Sequence, residues 1–501
     1  MGASSQKGSF MVKSAMIRGA EAVPVFVEVS CTSGIPGFSL IGSLDPIVQE
    51  AKERVRSALN FSGYELPRMN VTVNLAPAEI RKTGTGFDLP IAVGVLAASG
   101  QIPTRDLDAC LFVGELSLDG KVCAVRGEVA YALLAEQQGL KLVCSSERIG
   151  FNGIDCDCGT LDSLGRMRLG VTELSGPPVA AAKSGLGDTA DLQDALDYRD
   201  VCDQELAKRA LVIAATGQHG IMMVGPPGAG KTMLARRLPT ILPPLDEAAQ
   251  VEALLIHSVA GQGPERIMRG EPPFRAPHHS ISRAGLVGGG RPVTPGEISL
   301  SHRGVLFLDE LPEFANNVLQ ALRQPLEDRS IRIVRVDGQY LFPCDFMLVA
   351  AANPCPCGHL GDTGHPCICA PAVVEKYQAR MGGPLADRID MHIDISRPDS
   401  SKVIEGGSGM SSQQMRELVM SGREFARHRD PSQSKRVNVA DSFDHDARRS
   451  FEIIATRLAM GGRSIARAAR VARTIADIEH HDLVSRDDIV EACSYRGRAH
   501  G

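Results

Sequence analysis

Apolar residues recur along the chain with two different spacings. Val25–Cys31, VFVEVSC, alternates apolar and polar positions, which predicts a strand with one buried face. Val71–Leu75, VTVNL, does the same. Between them the period changes. From Asp45 to Gly63, the residues Ile47, Val48, Ala51, Val55, Ala58 and Leu59 fall on one face at helical spacing. An Asp at the start of that stretch and a Gly after its end are helix punctuation. Asp88–Ser99, DLPIAVGVLAAS, is apolar nearly all round and predicts a buried helix. Leu111–Gly127 predicts a hairpin turning at Asp119-Gly120. Residues 10–175 are therefore expected to form one α/β unit.

Residues 176–200 are small and polar and read as a linker. Residues 201–400 alternate apolar strands with helical stretches, the order of a doubly wound parallel sheet. Residues 405–435 form a Gly/Ser-rich and then basic polar segment, and the pattern from Asp441 onward is helical. A helical C-terminal domain over 401–501 is expected. No repeat of 20–50 residues is visible.

Composition changes the picture in a few places. Trp is absent and aromatics make up 4%, so the cores are expected to be aliphatic. A formal charge of -5 carries no global basic signature, so any nucleic-acid surface is local. No apolar run approaches the roughly 18 residues of a membrane span, and the N-terminal residues lack the apolar core of a signal peptide. Thirteen cysteines, an odd number, point to a reducing compartment, so a cytoplasmic location is expected.

The chemistry begins at Ile221–Leu238, IMMVGPPGAGKTMLARRL. An apolar strand enters Gly225, Pro226, Pro227, Gly228, Ala229, Gly230, Lys231 and Thr232, and a helix follows. The pattern G-x-x-x-x-G-K-[ST] in this context is a phosphate loop. Its glycines let backbone N–H groups turn toward phosphates, and the helix N-terminus adds positive potential. Lys231 is expected at the β/γ-phosphates of ATP and Thr232 on Mg²⁺. A second strand, Gly304–Phe314, ends in Asp309 and Glu310. Asp309 suits Mg²⁺ and Glu310 suits polarisation of the attacking water. A third, Phe346–Pro354, ends at Asn353, where an amide orients water or simply shapes the turn before Pro354.

Directly behind that strand lie Cys355, Cys357, Cys367 and Cys369, as C-x-C-x9-C-x-C. Four thiolates on a glycine-containing loop suit a tetrahedral structural Zn²⁺, with His359 and His365 as substitute ligands. The same residues also suit a reduced, metal-free loop. Cys156 and Cys158 have no nearby partner pair and read as exposed thiols.

The order of these motifs, with LRQPLED (322–328), GPLADRIDMHIDI (383–395), FRAPHHSISRAGLVGGG and PGEISLSHRG (274–304), resembles the ComM/YifB-type magnesium-chelatase-like AAA+ ATPases. So do GFSLIGSLDPIVQEAKERVRSALNFSG near the N-terminus and ARVARTIADI (469–478) near the C-terminus. The resemblance implies three parts: a Lon-protease-like, ribosomal-S5-type domain over 10–175, an AAA+ core over 201–400, and a helical lid over 401–501. It makes Asn353 the sensor-1 residue, Arg388 an arginine finger donated to a neighbouring subunit, and Arg467 the sensor-2 arginine. On the residues alone, Arg388 between two Asp is an ordinary ion-pair partner, and Arg467 is one of four arginines on its helix with Arg463, Arg470 and Arg473.

The resemblance also implies a self-assembled ring, hexameric, that translocates on DNA and drives branch migration beside recombination proteins. The alternative within the same class is a chelatase motor that inserts metal into a tetrapyrrole through a partner. Local support for DNA comes from Arg329–Asp345, which reads as a hairpin around Asp337-Gly338 with Arg332 and Arg335 on its first arm. A Gly-rich segment carries Arg283 and Arg291. A protease activity is not expected. Gly86, beside Thr85, stands where the nucleophile would be, and Val129 stands where the lysine would be.

Overall fold

A computed structural model describes residues 8–147, 153–176, 196–362, 364–381, 385, 388–406, 409–431 and 438–496. The N-terminal unit is built on a seven-stranded sheet. Its strands are β1 (Gly8–Arg18), β2 (Glu21–Thr32), β3 (Gly37–Ile41), β4 (Asn70–Ala76), β5 (Cys110–Phe112), β8 (Lys141–Ser145) and β9 (Cys158–Leu161). A small hairpin of β6 (Glu115–Leu116) and β7 (Val122–Cys123) stands apart from it. The sheet order is β3-β4-β2-β1-β5-β8-β9. β1, β2 and β4 pair antiparallel, and the remaining neighbours pair parallel.

The predicted period-two pattern is visible in β2, where Val25, Val27, Val29 and Cys31 are buried. The helix Pro46–Phe61 starts at the N-cap Asp45, whose carboxylate accepts from the Val48 N–H at 2.8 Å. Ile47 is exposed although Val48 beside it is fully buried: at 100° per residue Ile47 falls at the edge of the apolar face. The all-apolar helix Asp88–Ala98 is buried throughout except at its last residue. At its start Arg54 holds the fully buried Asp88 at 2.6 Å. Cys156 and Cys158 differ from expectation. They are half-buried against a small core with Cys144, and their sulfurs lie 3.8 Å apart.

The second unit is a five-stranded, wholly parallel sheet in the order β11-β14-β17-β10-β18. Its strands are β10 (Ile221–Val224), β11 (Phe274–Arg275), β14 (Val305–Leu308), β17 (Met347–Ala352) and β18 (Met391–Asp394). β14 and β17 are buried at every position, as strands covered on both faces must be. Two small pairs decorate the sheet: β12 (Gly288–Gly289) with β13 (Thr294–Pro295), and β15 (Ser330–Arg335) with β16 (Gly338–Pro343).

Packing reaches into the stretch expected to be a linker. Tyr198 is fully buried, and its hydroxyl donates to the Leu234 carbonyl at 2.7 Å. The polar segment 405–435 also holds more structure than its composition suggests. Ser412–Arg429 is an 18-residue helix opened by a capping box between Ser411 and Gln414. It packs with Glu205–Gly217 and Gly462–Ile478 in one core with the sheet.

Among the described residues, the two units touch along the helix Glu247–Ala260 and at the β1–β2 turn. Val129 packs with Ala253, Leu254 and Ile267 of the second unit. The β1–β2 turn reaches the β15–β16 hairpin: Ala20 donates to the Leu341 carbonyl at 3.2 Å, and Arg18 donates to the Asp337 carbonyl at 3.1 Å. Gly19 has φ +69, and a Cβ there would meet the Leu341 carbonyl oxygen at 2.7 Å, so this contact requires glycine.

Candidate functional site

β10 delivers the chain to Gly225 at the carboxyl edge of the sheet. A side chain at 225 would strike the Ile395 carbonyl oxygen at 2.2 Å, so glycine lets the loop leave beside β18. Gly228 and Gly230 have φ +79 and +90, a backbone that turns the loop's N–H groups inward. The helix Lys231–Arg236 begins at once. The Lys231 ammonium donates to the Gly225 and Pro226 carbonyls at 2.6 and 2.9 Å and to Asn353 Oδ1 at 3.0 Å. Burial pulls its pKa below the usual lysine value, against the opposing pull of Asp309 and Glu310. The Thr232 hydroxyl donates to Asp309 Oδ2 at 2.7 Å.

Lys231, Thr232, Asp309 and Asn353 therefore meet at the carboxyl ends of β10, β14 and β17. Asn353 touches the lysine, so its position is more than a turn before Pro354. Glu310 leaves β14 in a left-handed conformation, φ +52, which a non-glycine residue adopts only when its surroundings hold it there. Its side chain is about half exposed. Glu310 Oε2 lies 3.4 Å from His279 Nδ1. His279 in turn lies edge-on to Phe314 and stacks near His278, with ring centroids 4.0 Å apart. Sequence reasoning missed His279. It follows β11, and β11 lies beside β14 through the long-range pairing of Phe274 with Val305 and Arg275 with Leu306.

The cysteine loop closes over the same edge. Three of its sulfurs, from Cys355, Cys357 and Cys367, lie 3.4 to 3.6 Å apart, and Cys369 completes a group within 4.8 Å. Tetrahedral Zn–S bonds of about 2.3 Å place sulfurs about 3.8 Å apart, so the donor set fits zinc. Backbone N–H groups of His359 and Ile368 aim at the Cys357 sulfur and lower its pKa to about 6, whereas at Cys367 the lowering pull of the Cys369 backbone N–H is outweighed by desolvation and by the Cys357 and Cys355 sulfurs, which push the pKa up to about 12. Gly358 rides on the phosphate loop: a Cβ there would meet Pro227 Cδ at 2.6 Å. His359 and His365 are not among the four ligating atoms and gather around Asp362 instead.

Arg388 and Arg467 lie elsewhere. Both line a cavity of about 230 Å³ with Gly220, Glu327, Arg329 and Arg470. Gly220 precedes β10 and accepts from the Asp390 N–H at 3.0 Å, so this cavity is at the amino edge of the sheet. The length of β10, about 13 Å at 3.3 Å per residue, separates it from Lys231 of the same chain. Arg388 pairs with Glu327 at 2.5 Å. Arg470 and Arg467 reach Asp390 at 3.0 and 3.7 Å. Burial alone would raise the Asp390 pKa, but the hydrogen bond from His219 and the charges of His219, Arg470 and Arg467 outweigh it and hold it low.

Arg332 and Arg335 are exposed on β15, and the hairpin tip carries the exposed apolar residues Val334 and Val336. Gly86 lies near Val113 and the Tyr131 hydroxyl. Among the described residues, no helix is long and apolar enough to cross a membrane.

Comparison with known proteins accounts for nearly the whole chain. Residues 197–403 match the family described as magnesium chelatase, subunit ChlI. Residues 409–496 match its C-terminal region, and residues 27–148 match subunit ChlI of Mg-chelatase. The chain is similar to the uncharacterized protein YifB of Salmonella typhimurium, 39% identical over 486 residues and 95% of each chain. It is similar to the competence protein ComM of Haemophilus influenzae, 38% identical over 490 residues and 95% of each. Likeness to the magnesium-chelatase 67 kDa subunit of Heliobacterium mobile is 27% over 38% of this chain and 30% of that one. The chain belongs to the ComM/YifB-type, magnesium-chelatase-like family.

Proposed function

We propose that the protein is an ATP-hydrolysing ring motor that translocates on DNA. The observation that carries the ATPase reading is the meeting of Lys231, Thr232, Asp309 and Asn353 at one sheet edge. Gly225–Thr232 would cradle the phosphates of ATP, and the Thr232 hydroxyl with Asp309 would hold Mg²⁺, which neutralises phosphate charge when bound. Asn353 fixes the lysine and borders the position of the γ-phosphate. Glu310 takes a proton from the attacking water, and its half-exposed carboxylate is open to it.

The amino-edge placement of Arg388 and Arg467 favours composite sites. Neither reaches its own chain's phosphate loop, so each would serve a neighbour in a ring whose repeating contact is head-to-tail. We read Arg388 as the finger, held by Glu327, and Arg467 as its companion, held by Asp390. The four-thiolate zinc site would brace the loop behind Asn353 against Pro227.

DNA as the track is supported by the exposed Arg332 and Arg335 and by end-to-end likeness to a competence protein. The N-terminal region does not by itself separate this from a chelatase motor, because its own match carries a chelatase name. The extent of the likeness does favour the ComM type. We further read the N-terminal unit as a Lon-protease-like fold without protease chemistry, since Val129 is committed to the contact between the units.

The direct test is ATP turnover by the purified protein alone and with single-stranded, forked or four-way DNA. Turnover is expected to rise with at least one DNA. Intact basal turnover with no response to any DNA would remove the DNA reading and leave the ATPase.

A further inference from the structure

Between the two cysteine pairs lies a second constellation. His359, Asp362 and His365 sit at spacings of three, symmetrically nested inside Cys357 and Cys367. The fold turns this symmetry into a cluster. His359 Nδ1 is 3.2 Å from Asp362 Oδ2, and His365 Nδ1 is 3.8 Å from the same oxygen. The three ligand atoms lie within 4.8 Å of one another. The imidazole rings stack at 5.1 Å. The Asp362 side chain is only 3% exposed, although its loop is polar.

The carboxylate is held from behind. Oδ1 accepts from the Gly364 N–H at 3.0 Å, and Arg397 lies 3.2 Å from Oδ2. Three nitrogen groups thus converge on Oδ2 and one on Oδ1. His359 Nδ1 and Arg397 are within hydrogen-bond distance of Oδ2, but His365 Nδ1 at 3.8 Å is not, so hydrogen bonding does not explain its place beside the carboxylate. Metal bonds of about 2.0–2.1 Å in tetrahedral geometry put N and O ligands about 3.4 Å apart, close to the spacing here.

We propose that His359, Asp362 and His365 form a second divalent-metal site, separate from the four thiolates. Two imidazoles and a carboxylate select a borderline transition ion such as Zn²⁺, with the remaining coordination completed by water. Arg397 and the Gly364 N–H would orient the ligating carboxylate from outside. Arg397 follows β18, so occupancy would tie the loop's tip to the strand exit beside Gly225. The site is independent of the ATPase reading, since none of its residues is placed in that chemistry.

The test is zinc content of the full-length protein after dialysis against buffered zinc. Wild type is expected to hold about two zinc ions per chain on a thiolate-plus-imidazole reading. His359→Ala/His365→Ala is expected to hold one and Cys355→Ser/Cys357→Ser one. Cobalt separates the sites by spectrum: the His variant keeps the sulfur charge-transfer bands, and the Cys variant loses them but keeps the weaker ligand-field bands. Should the Cys variant fail to fold, the His variant alone decides. One zinc in wild type, unchanged in the His variant, overturns the second site and leaves the cysteine site standing. A second zinc that persists in the His variant also overturns it, as adventitious binding elsewhere. One zinc in wild type that the His variant loses and the Cys variant keeps overturns only the thiolate reading.

Discussion

Glu310 combines two demands at one residue. Its left-handed backbone costs about 1–2 kcal/mol relative to glycine, and the proposed reaction uses its carboxylate as the base. The two therefore separate by substitution. Glu310→Gly is expected to unfold at an equal or higher denaturant midpoint while ATP turnover falls about 100-fold or more, as for loss of a general base. Glu310→Gln is expected to bind ATP normally and turn over as slowly, checked by nucleotide titration and phosphate release. His279→Ala is expected to lower kcat about tenfold with nucleotide affinity unchanged, since His279 acts only by positioning Glu310. A changed affinity with kcat intact would contradict that role. The phosphate loop, Asp309, Glu310 and Asn353 were legible in the sequence because each follows an apolar strand directly. His279 was not, because its place beside Glu310 depends on which strand pairs with which.

At the scale of elements, the cysteine loop packs on the phosphate loop and the β1–β2 turn on the β15–β16 hairpin. The loop rests on Pro227 through Gly358, so removing the proposed zinc is expected to loosen the phosphate loop as well as the loop itself. Cys355→Ser/Cys357→Ser should lower the thermal midpoint and weaken ATP binding, measured by calorimetry and nucleotide titration. An unchanged midpoint and affinity would mean that the loop braces nothing. The β1–β2 turn holds the hairpin that carries Arg332 and Arg335. Gly19→Val meets both a positive φ and the Leu341 carbonyl, and is expected to cost about 1–3 kcal/mol. If the hairpin grips DNA, Gly19→Val should reduce DNA-stimulated turnover more than basal turnover. The sequence showed the hairpin through its Asp-Gly turn and alternating arms. It hid the helix Ser412–Arg429 behind a polar composition, although Ser411 and Gln414 carried the spacing of a capping box. Composition describes a helix's solvent face, and this helix buries only a narrow stripe of Met415, Val419 and Gly422.

For the whole molecule, the main geometric fact is that the sheet has two chemical edges. Lys231 marks the carboxyl edge, and at the amino edge Arg388, paired with Glu327, shares a cavity with Arg467 and Arg470, which pair with Asp390. Asp390→Asn would leave Arg467 and Arg470 without their shared counter-charge, and is expected to destabilise the chain by about 3 kcal/mol. The low Asp390 pKa gives the sign with pH. This contribution is complete above the unfolded carboxylate pKa and is lost as pH falls through the lower folded value. The sequence named Arg388 and Arg467 only by resemblance, because nothing local distinguishes them from other arginines. Their shared cavity is a product of the fold.

A composite site makes a claim that one experiment meets directly: steady-state ATP hydrolysis by Arg388→Ala and Lys231→Ala chains, alone and mixed. Each alone is expected to be inactive, the first lacking a finger worth about 10³-fold or more and the second unable to hold nucleotide. In a ring of head-to-tail contacts, an equal random mixture would join an intact phosphate loop to an intact Arg388 at about a quarter of its interfaces, restoring turnover of that order. The account predicts this recovery on mixing. Inactive mixtures in which co-assembly of the two chains is demonstrated, or full activity of Arg388→Ala alone, would contradict it.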